Sequence, residues 1–109
     1  MKGKIVLVPF PFTDLTAAKL RPSLVIYESE NDVILAFISS KIPARLSISD
    51  IPLTRTHTGF SATGLKVDSV IKLDKIATVI KKLVVAELGD VNDALKKDIN
   101  EKLKIVFVI

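Results

Sequence analysis

Lys4-Ile5-Val6-Leu7-Val8-Pro9-Phe10 is apolar and rich in β-branched residues, and it predicts a buried strand. Pro9 and Pro11 alternate with Phe10 and Phe12, and proline donates no ladder bond, so the stretch ends the strand or follows an edge. Working outward, Ser23 to Tyr27 predicts a second strand, with an acidic turn from Glu28 to Asp32. Val33 to Ile38 is apolar on both alternating faces and predicts a central strand. Ser47 to Leu53 is a weaker one, limited by Pro52. Val67 to Leu73, Ile76 to Ile80 and Leu83 to Leu88 complete the strands, with Thr78, Val79, Val84 and Val85 favouring extended backbone. Thr13 to Leu20 and Thr54 to Gly64 read as long loops.

The period changes at Gly89. Asp90 is the expected N-cap and Asp93 adds negative charge to the first helical turn. Val91, Leu95, Ile99 and Leu103 recur at helical spacing, with Ala94 beside them. Ile105-Val106-Phe107-Val108-Ile109 either extends that helix or returns as a strand, and needs cover from the core or a second subunit. The expectation is mostly β with a C-terminal helix: a small barrel or strongly bent sheet of roughly five to seven short strands.

At 109 residues the chain fits one domain, 1–109, with one modest core. It has no Cys, which removes disulfides, thiol catalysis and Cys-ligated metal, and suits a reducing cytosol. A single His leaves no multi-histidine metal centre. The longest apolar run, Ile5 to Phe12, is too short for a membrane span, and its prolines argue against a signal peptide. Net charge is +4, with +3 on residues 1–22 and +2 on residues 61–89. If those segments meet, they form a basic face suited to phosphate; +4 is also ordinary for a soluble domain.

Arg21 follows a long loop and precedes Pro22, which holds its backbone extended. A guanidinium so anchored can present a planar fork to phosphate, or join a rim salt bridge. Ser39 and Ser40 end the most apolar strand, either facing a groove or merely marking its end. Lys72 and Asp74 flank Leu73 and share a strand face, as a solvated ion pair or as phosphate contact and proton acceptor. His57 sits in a Thr/Gly loop without a nucleophile-elbow pattern, which disfavours a Ser-His-Asp triad. No glycine-rich phosphate loop is present.

Gly3-Lys4-Ile5-Val6-Leu7-Val8, followed across a variable loop by Arg21-Pro22-Ser23-Leu24-Val25-Ile26, resembles the opening of the MazF/PemK-type toxins. Gly64-Leu65, Ser69-Val70-Ile71 and Asp74 to Thr78 resemble the family's second block, and Leu88-Gly89-Asp90 before a helix also fits. The resemblance implies a Src-homology-3-like barrel, as in the gyrase-poisoning CcdB-like branch. It also implies a cytoplasmic homodimer neutralised by a cognate antitoxin protein, with no membrane association. The implied activity is cleavage of single-stranded RNA without metal or other cofactor, leaving 2′,3′-cyclic phosphate and 5′-hydroxyl ends. Carried over residue by residue, it implies catalytic roles for Arg21 and Ser39, accessory ones for Lys72 and Asp74, and RNA contacts at Phe12, Thr13, Lys19 and Ser40. Ala77 stands where many members have Arg, Ser39 where Thr is commoner, and Lys72 where some have Arg. The alternative is a non-nuclease binding toxin on the same fold, such as a gyrase inhibitor.

Overall fold

A computed structural model describes residues 1–10 and 19–109. The strands are β1 (Lys4–Pro9), β2 (Leu20–Glu28), β3 (Asp32–Ser39), β4 (Asp50–Leu53), β5 (Ser69–Ile80) and β6 (Ala86–Asp90), followed by helix α1 (Asp93–Val106). They form one antiparallel sheet in the order β4-β5-β3-β2-β1-β6, curled into a half-barrel. The expected mostly β fold with a C-terminal helix is therefore what the chain adopts.

The two sheet faces carry separate apolar clusters. One joins Ile5, Leu24, Ala36, Ile38, Ile71 and Leu73 to Leu95 and Ile99 of α1. The other joins Val6, Val8, Val25, Val33, Leu35 and Val79, with Phe10 and Phe37 in tilted ring contact at 5.3 Å. Alternation along each strand sorts the residues: Ile5 and Leu24 face the helix, Val6 and Val25 face away. Ser23 lies on the second face between Val6 and Phe37, fully buried, and its hydroxyl has no partner among the described residues.

The structure revises several expected boundaries. β5 is one strand rather than two, because β3 pairs continuously along it across a bulge. Phe37 pairs with Lys72 and its neighbour Ala36 with Ile76, which leaves residues 73–75 as the extra length. Leu73 instead donates its N–H to the Ser49 carbonyl at 2.9 Å. Lys81–Leu83 is a 3-10 turn, so β6 starts only at Ala86. Asp90 is not the N-cap. It closes β6 opposite Lys4 and forms an ion pair with that ammonium at 3.0 Å. Asn92 caps α1, its extended backbone letting the side-chain oxygen accept from Leu95 N–H at 2.9 Å. Ala94 is exposed. The helix runs to Val106, leaving Ile105 and Phe107 about half exposed and Val108 more so.

A 3-10 turn at Ser61–Thr63 seats against β6 through two glycines. Gly64 has φ +74°, and a Cβ there would lie 2.0 Å from the Leu88 carbonyl oxygen. A Cβ on Gly89 would lie 2.1 Å from the Ala62 carbonyl oxygen. Both neighbours are backbone, which cannot swing aside. Gly89→Ala is expected to destabilise by about 1–3 kcal/mol, seen as a Tm drop of roughly 5–20 °C. Ser23→Ala, which removes a buried unpaired hydroxyl without changing shape, is expected to stabilise by about 1 kcal/mol in urea unfolding.

Glu28 ties the strand ends together, bonding the Met1 amino group and the Lys81 ammonium, the latter at 2.7 Å. The hydrogen bond from Lys81, then that from the amino terminus, lowers its pKa from 4.5 to about 2. A depressed carboxylate pKa contributes stability at higher pH that is lost as pH falls. The Tm should therefore decline between about pH 4.5 and pH 2, and the decline should be shallower in Glu28→Gln.

Candidate functional site

Arg21, Ser39 and Ser40 come together in a cleft of about 540 Å³ at one end of the sheet. β2 begins there and β3 ends there. Ser23 pairs with Phe37, and continuing that antiparallel register by two residues sets Arg21 opposite Ser39. On its other side Arg21 lies next to Val8, and Ser39 next to Val70. Two central strands thus fix the pair.

Ser39 is oriented locally. Its Oγ accepts the Lys41 N–H at 3.0 Å, closing a tight turn. The hydroxyl proton's contact with the Lys41 carbonyl is long, at 3.5 Å, so the proton can turn to a ligand. Arg21 is half-buried. Its backbone belongs to the β1–β2 ladder, while its side chain has no hydrogen bond or ion pair among the described residues.

The opposite wall is the Gly64–Val67 segment together with Leu88, the region held by the glycine contacts. It brings Lys66, and the β3 end brings Lys41. Arg21, Lys41 and Lys66 line the cleft with Ser39, Ser40 and Ser69, and no carboxylate lines it among the described residues. Such a surface suits a phosphodiester: cations for its charge, hydroxyls for its oxygens, and Phe37 and Leu65 as apolar wall.

Lys72 does not join Asp74. It lies on the same face as Phe37, and its Nζ bonds Asp50 Oδ1 at 2.7 Å. Asp50 is buried at the start of β4, and its second oxygen accepts the Ser47 N–H at 2.9 Å. Burial pushes the Asp50 carboxyl up, but the hydrogen bonds from Lys72 and Ser47 outweigh it and leave the pKa lowered. Asp74 is exposed in the β5 bulge, which breaks the simple alternation the sequence suggests. Lys19 is exposed just before β2. Phe12 and Thr13 lie outside the described residues, as does the loop between Thr13 and Ala18. His57 lines a different cleft, beside Asp98 and Glu101 of α1, and its Nδ1 accepts the Gly59 N–H at 2.9 Å.

Sequence reading missed Asp50, Lys41 and Lys66. Asp50 reaches Lys72 across a separation of 22 residues with no local pattern to announce it. The two lysines lie in loops whose approach to Arg21 only the folded sheet defines. The signal available was Gly64 and Gly89, whose spacing has meaning only once their segments touch.

The molecule is thus a small β half-barrel with a terminal helix and a cationic, hydroxyl-lined cleft. Residues 1–107 match the family described as PemK-like, MazF-like toxin of type II toxin–antitoxin system. The chain belongs to that family. No curated protein matches it significantly. Among solved structures, the Mycobacterium tuberculosis toxin MazF-mt6 superposes with TM-score 0.73 at 16% identity, covering 95% of each chain. An endoribonuclease in complex with its cognate antitoxin, from a mycobacterial species, gives TM-score 0.69 at 18% identity, covering 96% of this chain and 91% of that one. A further mycobacterial endoribonuclease gives 0.70 at 16% identity, covering 96% and 88%. At such identities the likeness is one of fold.

Proposed function

We propose that the protein is a metal-independent endoribonuclease that cleaves single-stranded RNA at the Arg21–Ser39 cleft. The observation that carries this reading is the clustering of Arg21, Lys41 and Lys66 with serine hydroxyls in a cleft that has no carboxylate among its described lining residues. Family membership supports it, as does the fold shared with toxins described as endoribonucleases.

In the reaction an RNA 2′-oxygen attacks the adjacent phosphorus. The 2′-oxygen–phosphorus bond forms, the bond to the 5′-oxygen breaks, the 2′-hydroxyl loses its proton and the 5′-oxygen gains one. Negative charge grows on the non-bridging oxygens of the phosphorane. Arg21 supplies two parallel donors to those oxygens, and a guanidinium stays charged throughout. Ser39 adds a neutral donor, held by the Lys41 N–H. Solvent water takes up the 2′-hydroxyl proton and supplies the one that the 5′-oxygen gains, so Arg21 keeps its charge. Lys41, Lys66, Ser40 and Lys19 hold flanking phosphates, while Phe12 and Thr13 extend the RNA contacts. The exposed Ile105, Phe107 and Val108 are covered by a second copy, making a homodimer. Like the structural neighbour solved with its cognate antitoxin, the protein is held in check by an antitoxin partner in the cytoplasm.

The test is incubation with a long mixed-sequence single-stranded RNA in EDTA. Wild type should yield 5′-hydroxyl ends. Arg21→Ala should lose about 10²–10³-fold in rate, the scale for removing an oxyanion donor, and Ser39→Thr should retain more activity than Ser39→Ala. Absence of cleavage by folded wild type would sink the reading. Gyrase inhibition in its place would establish the binding-toxin alternative.

A further inference from the structure

On the sheet face that carries Arg21 and Ser39, the row two residues along β2, β3 and β5 is Ser23, Phe37 and Lys72, and Lys72 is its one charged residue. It stands opposite Phe37, whose side chain lines the cleft. An ammonium released there would lie one strand over from a cleft residue, within reach of a bound phosphate backbone. The Lys72 ammonium is instead turned away, onto the outer strand β4, where Asp50 receives it at 2.7 Å. The carboxylate is 1% exposed and the lysine side chain 19% exposed. The other Asp50 oxygen is occupied by the Ser47 N–H. Ser47 also places its Oγ 2.9 Å from Ser49 Oγ, so the turn before β4 is built around this carboxylate.

We propose that Asp50 withholds Lys72 from the RNA, cancelling one positive charge beside the cleft and limiting its grip on the phosphate backbone. The pair is a specificity device: it leaves Arg21 as the dominant cation at the reacting phosphate and weakens contact that any polyanion would satisfy. The inference rests on the ribonuclease reading of the cleft. Its physical basis is that an ammonium neutralised by a buried carboxylate releases no counterion from a nucleic acid, whereas an uncompensated one does.

Salt dependence of binding counts such cations. The ligand is a mixed-sequence 2′-O-methyl RNA, whose blocked 2′-oxygen cannot attack, and affinity is measured by fluorescence anisotropy from low to moderate salt. Wild type, Asp50→Asn and the neutral pair Lys72→Met/Asp50→Asn are compared. Asp50→Asn should bind more tightly at low salt, with log K against log salt steeper by about 0.7, one phosphate contact on a single strand. The neutral pair should keep the wild-type slope. A flatter slope in the neutral pair would show that Lys72 already touches phosphate and would overturn the proposal. An unchanged slope in folded Asp50→Asn would do the same. Should Asp50→Asn fail to fold, Asp50→Ser, which also frees Lys72, takes its place in the same comparison. Binding by none of the three would remove the RNA reading itself, and this inference with it; binding with the wrong slopes removes the inference alone.

Discussion

The close approach of two backbone segments, Ser61–Gly64 and Leu88–Gly89, is the constraint on which the cleft depends. Nothing larger than hydrogen fits at either glycine without displacing a carbonyl of the other segment. The long connection from β4 to β5 is thereby fastened across the sheet to the far edge strand, β6. This contact turns the end of a curled sheet into a cleft with a second wall. Arg21 and Ser39 would otherwise sit on an open strand end, where water would screen their attraction for phosphate.

The alternation of side chains divides the work between the two sheet faces. The helix covers one, through Leu95 and Ile99. The other carries the Phe10–Phe37 contact and, toward the strand ends, the polar residues of the cleft. The same strands that place Val6 and Leu35 in a core therefore fix the donors one or two rungs away. Side chains anchored on paired β-strands lose little entropy when they meet a ligand, which favours charge stabilisation by a preorganised site.

The strand pattern, the terminal helix and the Arg-Pro position were legible in the sequence because each depends on local chemistry: β-branched runs, helical spacing, proline restriction. What escaped depended on distant partners. The β5 bulge looked like a break between two strands, since residues 73–75 lack opposites that only β3 defines. Asp90 looked like an N-cap until its pairing with Lys4 made it the last residue of β6 and left the cap to Asn92. Lys72 and Asp74 looked like a pair by alternation, and the bulge together with Asp50 separated them. Arg21 and Ser39 were candidates by residue type and position and were singled out by the family resemblance, and their meeting in one cleft is a product of the β2–β3 register.

The outermost strand, β4, has a further consequence. It is only four residues long and has Pro52 in its middle. A proline offers no amide hydrogen to an incoming chain, so this border is a poor template for sheet growth. A protein that displays Ile105, Phe107 and Val108 at its surface is exposed to sticky encounters between copies. Blunting this border removes one template for the directional hydrogen bonding that converts such encounters into fibrils, so the apolar tail can meet a second copy with less risk of seeding aggregation.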